Sequence, residues 1–227
     1  MHVRVLAAID KMSTTFEVIP VETTHITFSE VIVLSEKRIN GFFESIGIIS
    51  NIQLRINLHE NREKYVKEID LDSIFRWADN EYVWFTILGV AGGTDAYCAE
   101  LKDNFDDSEP WWRLEDMLLN NKTIENFSSK IEKAKNLNCC WSFRRSAGQS
   151  ATINIAYGII SASIAELTSG FIWTDDGAWN FQKFPAEPAE FYKWYFRPEN
   201  EEHQESKEWA NRCLNGIEQE IDAANTR

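Results

Sequence analysis

Residues 139–173 read CCWSFRRSAGQSATINIAYGIISASIAELTSGFIW, and their pattern decides the fold. Residues 139–143 are cysteine and aromatic rich, which predicts a strand ending at Arg144-Arg145. Ser146 and Gln149 carry the S-x-x-Q spacing of a capping box. Residues 151–167 are apolar almost all round, so they form a central helix covered on several sides. Asn154, Ser161, Ser163 and Glu166 interrupt that run, so it is not a membrane span. Gly170 stands where a left-handed residue ends a helix. Residues 171–173 then return as a strand, completing a strand–helix–strand unit.

Working outward, residues 3–9, 16–21 and 26–34 are rich in β-branched and aromatic side chains and read as strands. Ser35 caps a following helix with Ile39, Phe42, Phe43 and Ile46 on one face, and Gly47 ends it. Residues 52–59 alternate strictly, the pattern of a strand with one buried and one wet face. Residues 70–78 suggest a short helix, and 81–90 and 96–101 form a hairpin about Gly92-Gly93. Pro110 opens a helix to 119, and Thr123 begins another carrying Ile124, Phe127 and Ile131. Strand 178–181 follows the turn Asp175-Asp176-Gly177. Pro188 opens a short helix through Trp194, and a last helix carries Trp209, Cys213, Ile217 and Ile221. No repeat, low-complexity tract or linker divides the chain. The expectation is one α/β (α+β) domain over residues 1–227, a mixed and mostly antiparallel sheet with helices packed on it.

The chain has 227 residues, 44% of them hydrophobic and 13% aromatic, which is enough to bury a large core without disulfide or metal. Twenty-three basic residues stand against 36 acidic ones, a net charge of −13. That field repels phosphate backbones and attracts a basic protein. Cys98, Cys139, Cys140 and Cys213 contain no CxxC pair, and the N-terminal apolar run is too short for a secretory segment. Both point to reduced thiols in a cytoplasm.

No motif for metal, cofactor or nucleophilic catalysis stands out. The four histidines are scattered, and Asp175-Asp176 lacks an EF-hand frame. Gly89-Val-Ala-Gly-Gly93 is neither a Walker loop nor a dinucleotide fingerprint. Two constellations remain. Arg144 and Arg145 meet Asp175 and Asp176 at one sheet edge if their strands run parallel, forming either an anion site or a structural ion pair. Asp103, Asp106 and Asp107 beside Trp111 and Trp112 combine steering carboxylates with anchoring rings, as a protein interface does.

Three stretches carry a resemblance: Trp141–Ser150 (WSFRRSAGQS), Trp173–Trp179 (WTDDGAW) and Phe191–Pro198 (FYKWYFRP). Together with the apolar helix, they resemble small bacterial immunity proteins of polymorphic toxin systems. The resemblance implies a cytoplasmic α/β domain that binds and blocks a cognate toxin; no cofactor is expected, and the chain is expected to be a monomer or a homodimer. The toxin is expected to be basic, with a nuclease as one case. The expected contact residues are Asp103, Asp106, Asp107, Trp111, Trp112, Asp175 and Asp176, with Arg144 and Arg145 as an anion site. The alternatives are an enzyme acting on a small anionic substrate at the Arg/Asp edge, and a homo-oligomeric structural protein.

Overall fold

Strict alternation in residues 54–60 and 81–87 gives each strand one apolar face, and two such strands must pair to bury it. The computed structural model describes residues 13–60, 66–100, 124–174 and 176–225. Its strands are β1 (Thr14–Ile19), β2 (Leu54–Glu60), β3 (Val66–Lys67), β4 (Glu81–Ile87), β5 (Thr94–Ala99), β6 (Cys140–Arg145) and β7 (Phe171–Trp173). They form one sheet in the order β3-β2-β4-β5-β6-β1-β7, with every neighbouring pair antiparallel. The described helices are α1 (Phe28–Ser45), α2 (Phe127–Leu137), α3 (Ala151–Leu167), α4 (Pro188–Trp194) and α5 (Gln204–Asn225). This is the α+β architecture the sequence implies.

Helix α3 occupies the centre as expected. Residues 152–165 are all buried, with α1, α4 and α5 around the helix and β1, β6 and β7 beneath it. Its N-terminus is capped by Ser150, whose Oγ accepts from Ile153 N at 3.2 Å. The Glu220 carboxylate of α5 also accepts from the N–H groups of Ala151 and Thr152, at 2.8 and 2.9 Å. A carboxylate at this end complements the helix dipole as well as the orphan donors. The Ser146/Gln149 box does not form: Gln149 Oε1 instead accepts from Gly93 N at 3.0 Å and ties down the β4–β5 hairpin. At the other end the left-handed residue is Ser169, with φ +50°, and Gly170 N donates to Ala165 O at 2.7 Å. Gly170 is needed for a different reason, since a Cβ there would lie 2.2 Å from the Ile19 carbonyl oxygen.

Three other expectations are corrected. Residues 26–34 are not a strand, because Thr27 and Glu30 form a complete capping box that starts α1. Phe28, Val31, Ser35, Ile39 and Phe43 then share its buried stripe, so Ser35 lies inside the helix and caps nothing. Packing outweighs the β propensity of the Val/Ile run. Residues 70–78 form turns rather than a helix, with Ile74 bridging Thr27 and Phe75 N donating to Ile26 O at 2.7 Å. This segment buries Phe75 and Trp77 against Phe28. Residues 178–179 are bends and Phe181–Lys183 is a 3-10 turn, and Ala186 takes the pairing with Ile172 that a strand at 178–181 would have made. Residues 3–9 and 110–119, read as a strand and a helix, lie outside the described residues.

Helices α1, α3, α4 and α5 cover one face of the sheet through the main core cluster. On the opposite face, α2 packs Ile131 and Ala134 against Ile19, Cys140, Phe171 and Trp173 of β1, β6 and β7. Adjacent Cys139 and Cys140 consequently enter different clusters on the two faces. That second cluster stops at β6, and the same face of β2, β4 and β5 carries half-buried side chains.

Candidate partner-binding face

The strand register places the outer-face residues of β2, β4, β5 and β6 in two rows. One runs Asn57, Trp84, Asp95, Arg144, and the other His59, Tyr82, Tyr97, Ser142. His59 and Tyr82 stack at 5.0 Å between ring centroids, 10° from parallel, and Tyr82 meets Tyr97 at 5.8 Å. These rings and Trp84 are half-buried, presenting a flat aromatic band where a solvated sheet face ordinarily carries small or charged groups. Directly opposed cross-strand aromatics hold one another's rotamers, so the band is preformed.

Asp95 is the polar centre of this face. Its side chain is only 4% exposed, and its Oδ2 accepts from Arg144 Nε at 3.0 Å and from Tyr97 OH at 2.9 Å. Its Oδ1 is buried without a hydrogen-bond partner. Burial, together with the Asp95 carboxylate, pushes the Tyr97 phenol up to about 12, so Tyr97 stays a neutral donor. Acidic residues predominate at one end of the strands, although Lys67 pairs with Glu81 there. Glu60, Asp79, Glu81 and Glu100 lie at the sheet end nearest the tyrosine row, whereas Arg55, Arg144 and Arg145 lie towards the other. The Glu81 carboxyl is held below the usual range by Lys67, and so stays ionised.

The sequence-predicted residues distribute unevenly. Asp103, Asp106, Asp107, Trp111, Trp112 and Asp175 lie outside the described residues. Strands β6 and β7 do run parallel, with β1 between them, but Arg144 and Arg145 diverge to opposite faces because side chains alternate along a strand. Arg144 joins Asp95 on the outer face. Arg145 is 1% exposed beneath α3, where it donates to Thr14 Oγ1 at 3.1 Å and Asn154 Oδ1 at 2.8 Å. It also lies over the rings of Tyr157 and Trp209. Asp176 accepts from Thr174 Oγ1 at 3.1 Å. The two arginines therefore do not converge on one substrate. Five of the tryptophans, Trp77, Trp141, Trp173, Trp179 and Trp209, are core residues.

Sequence reasoning missed Asp95, Tyr97, Tyr82 and His59. The signal was present: alternation on 81–87 and on 52–59 assigns Tyr82, Trp84 and His59 to the wet face, and the hairpin adds Asp95 and Tyr97. Among the described residues, no group of three or more His, Cys, Asp or Glu is placed to hold a metal ion. None of their helices is long and apolar enough to cross a membrane. No protein-family model, curated protein or solved structure matches the chain.

Proposed function

We propose that this chain is an immunity-type binding protein that docks the outer face of β2, β4, β5 and β6 on a basic cognate toxin in the cytoplasm and occludes its active site. The observation that carries this reading is the His59–Tyr82–Tyr97 band lying beside the carboxylate-bearing end of the sheet. Rigid aromatic rings supply contact area at low entropic cost, and tyrosine hydroxyls supply donors. The carboxylates and the net charge of −13 steer a cationic partner and orient it along the strands. A nuclease fits because its phosphate-binding groove offers the matching cations. The enzyme alternative loses its basis once Arg144 and Arg145 face opposite sides of the sheet.

The test is co-expression with the product of the adjacent reading frame, followed by affinity measurement. Growth rescue is expected, with binding that weakens steeply as salt rises. The double variant Tyr82→Ala/Tyr97→Ala, with unchanged circular dichroism, should lose about 2 kcal/mol or more of binding, roughly a thirtyfold rise in Kd. Binding of that product with equal affinity by the folded double variant would exclude this face. Absence of both rescue and binding would exclude the immunity role.

A further inference from the structure

A cleft of about 770 Å³ lies on the helical side, remote from the sheet face, between the C-terminal half of α1 and the α4 region. Cleft size is in the range of small-molecule sites. Its apolar lining comes from Phe42, Ile48 and Ile159, and its charged lining from Lys37, Arg38, Arg197 and Glu44. Three cations against one carboxylate is the reverse of the chain's overall balance.

Apart from the exposed Glu44 carboxylate, the polar groups of the cleft are mostly engaged acceptors and partly unengaged donors. The Asn40 amide is committed at both ends: Nδ2 donates to Glu36 O and Ile52 O, and Oδ1 accepts from Ser50 Oγ and Ile52 N. Tyr192 OH donates to Glu166 Oε2 and Tyr195 OH to Asn154 O. Ser45 Oγ donates to Phe42 O and accepts from Arg197. By contrast, Arg38 uses only Nε and Nη2, both on Glu166, and Arg197 only Nη2. A guanidinium has five N–H donors, so each retains several. Lys37 is exposed, and its side chain makes no hydrogen bond or ion pair among the described residues. Both guanidiniums are already fixed in place, Arg38 over the Tyr192 ring and Arg197 over the Phe42 ring, each at 4.8 Å. Oriented donors above an apolar floor suit one kind of ligand, an oxyanion attached to an apolar body.

We infer that this cleft binds a small aromatic carboxylate or phosphate, its anionic group held by Lys37, Arg38 and Arg197 and its ring laid against Phe42, Ile48 and Ile159. The site is independent of the sheet face and of toxin binding.

The experiment titrates the whole protein, by fluorescence and calorimetry, with naphthyl phosphate, naphthoate, neutral naphthol and inorganic phosphate. Saturable binding of naphthyl phosphate or naphthoate is expected, and the tighter of the two identifies the anionic group. Naphthol and inorganic phosphate should each bind at least about tenfold more weakly, since each lacks one half of the recognition. Lys37→Glu, at an exposed position where folding is unaffected, should weaken the favoured anion by about tenfold or more, and Glu44→Gln should not weaken it. Equal affinity for naphthol and the anions, undiminished affinity in Lys37→Glu, or absence of saturable binding by either anion would each overturn the proposal.

Discussion

Arg145 is a guanidinium buried under the central helix with a threonine hydroxyl, an asparagine oxygen and two aromatic faces around it, and it forms no ion pair among the described residues. Burying a charge is costly unless it is hydrogen-bonded, so these neutral acceptors offset the desolvation of the guanidinium. Asn154→Leu removes one of those acceptors and should cost about 2–3 kcal/mol in urea unfolding, more than an exposed amide would. The neighbouring Tyr157 phenol is pushed from 10.0 up to about 12, chiefly by burial, with Arg145 pulling it back and Asp176 adding to the rise. The folded state keeps its proton when the unfolded chain has lost it, so this contribution is complete below pH 10 and disappears as pH rises towards 12. Spectrophotometric tyrosine titration of Tyr157→Phe should show one fewer late-titrating phenol than the parent, with a shallower decline of stability across that window, since Tyr97 is also raised to about 12.

Helix α1 and helix α3 show how capping and close approach fix secondary structure. Thr27→Ala removes the Oγ half of the α1 capping box, leaving the residue-27 N–H on Glu30, and should lower stability by about 1 kcal/mol, seen as a shifted denaturation midpoint with an unchanged slope. Gly158 lets α3 touch α4, since a Cβ there would meet the Tyr195 ring at 2.4 Å. Gly158→Ala should therefore destabilise by about 1–3 kcal/mol despite alanine's better helix propensity, and thermal unfolding would reveal a stabilised variant if the reasoning fails. These two helices also mark what could be read from the chain. Helix α3 was legible to the residue because an apolar run of its length admits one solution. Helix α1 is only half legible, because Val31-Ile32-Val33 reads as strand while the deciding Thr27–Glu30 capping box lies just before that run. The segment 70–78 was misread because Phe75 and Trp77 are buried by a partner, Phe28, that only the tertiary structure supplies.

For the molecule as a whole, the two-sided character of the sheet mattered more than any single motif. Arg144 and Arg145 are adjacent on β6 and so cannot share a face. The candidate surface arises instead from alternate residues of four strands, and its members are far apart in sequence, His59 on β2 and Arg144 on β6. The strand pairing that unites them depends on the order β2-β4-β5-β6, which local patterning does not encode beyond the β4–β5 hairpin. That same order leaves β3, two residues long, and β7, three residues long, as the outermost strands. Boundaries so short offer few free backbone groups for an extra strand to join, which discourages ribbon-like self-association. A visiting protein is thereby directed onto the broad aromatic surface and away from prolonging the sheet sideways.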